Sequence, residues 1–177
     1  MSCHTLARTA PGVVAFDPAA ATILPLVSSI AQEVEYVFVF VNTVIDDAIL
    51  AELQQFAPYC QIIKSDYNLG VAEALNIIAL HALVHGCGRV VIFDQDSRPP
   101  RGMISALSRS ADRLIENGTQ VAVIGPKITD PQGRSHEFKS PRYFQRQAIE
   151  EKDGTIPVHY LITSSSLIDL RVFRAIG

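Results

Sequence analysis

Residues 35–41 read Glu-Tyr-Val-Phe-Val-Phe-Val, a β-branched and aromatic run with no charge after Glu35. A strand with one wet face alternates apolar with polar residues; an unbroken run of this kind predicts a strand buried on both faces. Such a strand needs helices above and below it, which confines the chain to a layered α/β arrangement. The rest of the sequence repeats the unit. Residues 12–16, 61–64 and 89–93 are further short apolar runs, and longer helical stretches follow each of them. Alternating strand and helix with short connections implies a mostly parallel sheet covered on both faces.

Taken in order, residues 1–11 read as a flexible leader and residues 12–177 as one domain. Asp17-Pro18 predicts a helix N-cap with Pro at the first helical position, opening a helix towards Gln32. Residues 45–56 predict a second helix, and residues 71–85 a long apolar one that Gly86-Cys87-Gly88 ends. A fourth helix is expected over 102–116, closed by Asn117-Gly118, and a fifth strand over 120–125. Residues 126–157 are polar and carry Gly, Pro and charges, and read as a long loop or irregular hairpin that is mobile without ligand. A last strand is expected over 158–163 and a helix start over 167–176.

Composition narrows the classes. With 48% apolar and 19% charged residues the chain is too hydrophobic to stay disordered, and a net charge of −3 offers no basic stripe for nucleic acid. Cys3, Cys60 and Cys87 are far apart and odd in number, which predicts buried or incidental thiols and no disulfide framework. Charged and polar interruptions at Glu33, Glu35, Glu73, His81 and His85 leave no clean stretch of the ~18 residues a membrane span needs. The expected place is the cytoplasm, with peripheral contact at the inner face of the membrane compatible with the sequence. His81 and His85 share a helix spacing but lack a third zinc ligand, so a helix surface or core edge is expected. Residues 163–166 (Thr-Ser-Ser-Ser) lack the flanking glycines of a nucleophile elbow and read as a strand-to-helix turn. Lys127 reads as a solvated loop lysine.

In open α/β sheets ligands bind at the carboxyl ends of the strands. Three polar clusters fall there: Phe16-Asp17, Asn42-Thr43 and Asp94-Gln95-Asp96. Two carboxylates one residue apart repel one another, and at a strand end they suit a hard divalent cation, Mg²⁺ or Mn²⁺, that keeps room for phosphate oxygens. Asn68-Leu69-Gly70 precedes the long apolar helix; Gly70 permits positive φ, and the helix N-terminus offers free N–H groups to an anion or a polar base. Asn76 lies two turns into that helix, as a ligand contact or as a hydrogen-bonded core amide.

The ordered set resembles one family. Val13-Val14-Ala15-Phe16-Asp17-Pro18, Asn68-x-Gly70-x-Ala72-x-Ala74-x-Asn76, Phe93-Asp94-Gln95-Asp96-Ser97-x-Pro99, Ile124-Gly125-Pro126 and Ile162-Thr163-Ser164-Ser165-Ser166-Leu167 occur in the order seen in rhamnosyltransferases of glycosyltransferase family two. The resemblance covers about residues 12–177. It implies a GT-A, Rossmann-like fold. It implies that Asp94 and Asp96 hold a metal bridging the donor diphosphate, and that Phe16, Asp17, Asn42, Asn68 and Gly70, with Asn76 as a further candidate, line the nucleotide pocket. The implied reaction is inverting transfer of a deoxyhexose, rhamnose from dTDP-rhamnose, to a saccharide or lipid-linked saccharide acceptor of a cell-surface polysaccharide. Two departures stand out. The family carries Asp-Asn after the second strand where this chain has Val41-Asn42, and its general base is expected beyond Gly177, as in a longer enzyme. Two other readings compete: a non-catalytic nucleotide-sugar-binding fragment, and a haloacid-dehalogenase-type phosphatase. The phosphatase also uses Asp-x-Asp after an apolar strand, but usually on its first strand.

Overall fold

A computed structural model describes residues 7–127, 154–158 and 160–176. In chain order the elements are β1 (Thr9–Ala15), α1 (Ala20–Ala31), β2 (Val37–Val41), α2 (Asp47–Gln54), β3 (Cys60–Lys64), α3 (Val71–Val84), β4 (Arg89–Asp94), α4 (Met103–Glu116), β5 (Val123–Ile124), β6 (Leu167–Asp169) and α5 (Leu170–Ile176). They build one six-stranded sheet in the order β3-β2-β1-β4-β6-β5. β1, β2, β3 and β4 are mutually parallel, while β6 runs antiparallel to β4 and to β5. The expected mostly parallel sheet flanked by helices is therefore present.

The uninterrupted apolar strands split their side chains between two cores, as the period of two requires. Val37, Val39 and Val41 join Val91 and Phe93 in a cluster with α1, α2 and α4; Phe38 and Phe40 join Val90 and Ile92 in a cluster with α3 and α5. Phe38, Phe40 and Phe93 are fully buried, each worth about 1.5–3 kcal/mol of transfer free energy. A side chain at Gly12 would collide with Ile78 of α3, so this glycine lets the helix lie directly on the β1 backbone.

Several boundaries differ from the sequence expectation. β1 starts at Thr9, so residues 9–11 of the expected leader belong to the strand; residues 1–6 are outside the described residues. Asp17 is not a helix cap: it takes φ +46°, and α1 begins at Ala20 with Ala19 as its N-cap. The fifth strand shrinks to Val123–Ile124. Residue 158 and residues 160–163 are irregular, and the last strand is Leu167–Asp169, where a helix start is expected. The cause is β4, whose main chain takes this segment as a partner through Val90↔Ile168 and Val91↔Leu167. α2 opens on Asp46, whose carboxylate accepts from the N–H of Ala48 and Ile49. Most of the 126–157 segment, with Cys3, His4, His136, Asp153, His159 and Gly177, lies outside the described residues.

Candidate functional site

The parallel register aligns the expected clusters. Ala15 pairs with Val41, and Val14 with Asp94, so Phe16-Asp17, Asn42-Thr43 and Asp94-Gln95-Asp96 emerge together at one edge of the sheet. β1 leads to β2 on one side, while the chain returns through α3 to β4 on the other. The gap between β1 and β4 is thus the topological switch point, the crevice where such sheets bind ligands.

Asp94 ends β4 and is exposed, as is Asp96. The Ser97 N–H donates to the Asp94 carbonyl at 3.0 Å and closes the turn between them. Among the described residues no group of three or more His, Cys, Asp or Glu is arranged to hold a metal ion. Two accessible carboxylates fit a hard cation such as Mg²⁺ or Mn²⁺ that draws its remaining oxygens from a ligand. Phe16 is 51% exposed beside Asp17, whose left-handed backbone is uncommon for a residue other than glycine.

Asn42 is only 3% exposed. Its Nδ2 donates to Asn68 Oδ1 at 3.0 Å and to the Gly70 carbonyl at 3.3 Å, and its Oδ1 accepts the Leu69 N–H at 2.8 Å. Asn68 Oδ1 also accepts the Gly70 N–H at 2.8 Å. The side chain of Asn42 therefore holds the loop in front of α3. Gly70, at φ +81°, lets that loop turn into the helix. Asn76 is exposed on α3, so the core-amide alternative is removed.

Two contributors were not singled out from the sequence. Gln95 Oε1 accepts the Phe16 N–H at 2.8 Å, and Nε2 donates to the Phe16 carbonyl at 3.1 Å. Its sequence signals were its place between two acids at a strand end and in the motif of residues 93–99, and neither gave it a role. Ser164 is the other: its Oγ accepts from the Asp94 N–H at 3.4 Å and lies 3.3 Å from Ser97 Oγ. Ser165, at φ +65°, donates its N–H to the Ile92 carbonyl at 2.6 Å, so residues 163–166 lie along the end of β4. They are not a simple capping turn.

Other singled-out residues lie elsewhere. His81 and His85 pack against Phe38, and His85 also against Tyr36, at a core edge. Cys60 and Cys87 are buried free thiols, and burial pushes the Cys60 thiol up to about 11. Asp169 pairs in register with Arg89 at the start of β4, the strand end remote from Asp94. It is buried and caps α5 through the N–H of Arg171 and Val172. Burial alone would raise its pKa; hydrogen bonds from Arg171 and Val172 and the Arg171 charge outweigh that and hold it below the ordinary carboxylate value. Lys127 is exposed.

Comparison with known proteins bears on this geometry. No family model matches the chain. It is 27% identical over 173 residues to the dTDP-rhamnosyl transferase RfbF of Shigella flexneri, covering 93% of this chain and 55% of that protein. The chain thus spans about half the length of this curated relative. Among solved structures, S. aureus TarS 1-349 superposes with a TM-score of 0.62 at 15% identity, over 95% of this chain and 48% of that one. GalNAc-T7, solved with UDP, GalNAc and Mn²⁺, gives 0.53 at 10% identity over 61% of this chain and 21% of that one. At these identities the structural likeness speaks for the fold, which is the GT-A class expected from the sequence. The rhamnosyltransferase-like character read from the motifs agrees with the curated relative. No helix among the described residues is long and apolar enough to cross a membrane.

Proposed function

We propose that this chain is the donor-binding part of a glycosyltransferase. Its donor is dTDP-rhamnose, and its acceptor is a saccharide or lipid-linked saccharide in cell-surface polysaccharide synthesis. The observation that carries the reading is the pair of exposed carboxylates, Asp94 and Asp96, at the β1/β4 switch point beside Phe16-Asp17. The similarity to a dTDP-rhamnosyl transferase over 93% of the chain supports the same donor.

The roles follow from the chemistry of each group. Asp94 and Asp96 would hold Mg²⁺ or Mn²⁺, which supplies charge stabilisation to a leaving diphosphate. Phe16 offers an exposed ring to a nucleobase, and Asp17 a carboxylate beside it. Asn42 fixes residues 68–70 so that the N-terminus of α3 presents its free N–H groups at one place. Asn76, exposed on α3, remains a candidate contact to the donor. Holding a donor in one orientation is itself worth several kcal/mol of barrier in displacement reactions, up to about 7–11 in the best cases. A carboxylate base would activate the acceptor hydroxyl, typically for ~10²–10⁴-fold in rate.

Calorimetry with dTDP tests this reading. Affinity should be about tenfold or more higher in Mn²⁺ than in EDTA, and Asp96→Asn should abolish the difference. Equal affinity in both media would reject the metal–diphosphate site.

A further inference from the structure

We infer that Gln95 is the positioning residue of this site, its carboxamide locking the loop after β1 onto the carboxylate loop after β4. The inference rests on the nucleotide-sugar reading above and assigns a residue that reading leaves without a role. The main-chain pairing of β1 with β4 runs from Thr9↔Arg89 to Val14↔Asp94 and stops there. Beyond it, the Ala15 carbonyl turns to the other neighbour and accepts the Asn42 N–H at 2.7 Å. On the β4 side the next rung is made by a side chain: Gln95 accepts from the Phe16 N–H at 2.8 Å and donates to the Phe16 carbonyl at 3.1 Å. A peptide unit offers this same pair of one donor and one acceptor, and a carboxamide reproduces it. A glutamate would set a second acceptor against the Phe16 carbonyl, and an asparagine is one methylene short.

The clamped carbonyl belongs to the peptide that enters Asp17. Asp17 holds φ +46°, and a non-glycine residue keeps that conformation only where its surroundings over-determine it. Gln95 bonds both polar groups of the preceding residue and so supplies that constraint. It also stands between Asp94 and Asp96, in a turn closed by the Ser97 N–H on the Asp94 carbonyl. One side chain therefore fixes the spacing between the part of the pocket that faces a base and the part that faces a metal and diphosphate.

The test uses Gln95→Met, which keeps length and removes both bonds, and Gln95→Leu as a second non-bonding variant. Three quantities are read: dTDP affinity in Mn²⁺ and in EDTA, urea stability, and hydrogen exchange of the Phe16 amide by NMR. Both variants should bind dTDP about tenfold more weakly in Mn²⁺ and in EDTA alike, the scale of one to two hydrogen bonds. Asp96→Asn should lose affinity in Mn²⁺ only. Phe16 exchange should accelerate about tenfold or more, while the urea midpoint falls by no more than the loss of one to two exposed hydrogen bonds allows. Unchanged dTDP affinity in folded variants, with wild-type binding intact, overturns the role of Gln95 and leaves the donor reading standing. If wild-type protein binds no dTDP in either medium, the donor reading fails, and Phe16 exchange decides the clamp: faster exchange upholds it and equal exchange overturns it.

Discussion

Replacing Asn42 by Ala should loosen residues 68–70 without dissolving the sheet. The wild-type carboxamide makes three contacts, to Asn68 Oδ1, the Gly70 carbonyl and the Leu69 N–H, at 3.0, 3.3 and 2.8 Å. A typical hydrogen bond contributes about 0.5–1.5 kcal/mol net, and the 3.3 Å contact belongs at the weak end, so the sum is about 2–3 kcal/mol. Little of this is recovered from water at the Asn42 end, because that side chain is buried. The loop end is wetter, since Asn68 and Gly70 are exposed and can rehydrate, which keeps the figure below the cost of three fully buried orphans. Asn42→Asp should cost more at neutral pH. It removes the donor and sets a buried carboxylate against two oxygen acceptors. Burial raises the folded-state pKa of such a carboxyl above its unfolded value, so the penalty is small below about pH 4 and grows as pH rises through the folded pKa. Urea denaturation from pH 4 to 8 measures both variants. A cost under about 0.5 kcal/mol for Asn42→Ala, or an Asn42→Asp penalty that does not increase with pH, would rule out this role for the Asn42 carboxamide.

Three further outcomes are expected. Arg89, 3% exposed, pairs with Asp112 at 2.7 Å, and its Nε has no partner among the described residues; Asp112→Ala strands this buried charge and should cost about 3 kcal/mol, more than Arg89→Met, in thermal or urea unfolding. Asp169 has a depressed pKa in the fold, so its contribution is present above the unfolded carboxyl pKa and fades as pH falls through the folded value; Arg171→Met should therefore flatten the loss of stability below about pH 4. The Cys60 thiol, pushed up to about 11 by burial, should resist iodoacetamide at pH 8 in native protein and react once the chain is unfolded in urea.

The sequence displayed those parts of the fold whose signals are local. The runs behind β2 and β4 are apolar on both faces, and their parallel alignment carries Phe16, Asn42 and Asp94 to one edge without further assumptions. The turn at Asn117-Gly118 was legible in the same way, since it rests on two residues; the cap at Asp46 was not, because the helix was expected to begin one residue earlier. Parts decided by tertiary partners were hidden. β6 is three residues long, too short to show a period, and it forms because β4 has a free edge. Asp17-Pro18 has the composition of a helix start, yet Asp17 takes a left-handed conformation and α1 begins only at Ala20. α3 is apolar on nearly every side, with Val71, Leu80 and Val84 exposed. Its periodicity therefore could not tell whether Asn76 faces the sheet or solvent. Gln95 and Ser164 act through contacts 79 and 70 residues away in sequence, which no spacing rule reaches.

In the proposed function a nucleoside diphosphate and a divalent cation meet at the carboxyl ends of β1 and β4. A crystal structure of the protein with Mn²⁺ and dTDP, with anomalous scattering to locate the metal, tests it most directly. The expected result is an anomalous peak bonded to a carboxylate oxygen of Asp94 or Asp96 and to diphosphate oxygens, with the base beside Phe16 and Asp17. A nucleotide bound at the opposite edge of the sheet, near Thr9, Ser108 and Arg109, or a metal seated away from both carboxylates, would contradict it.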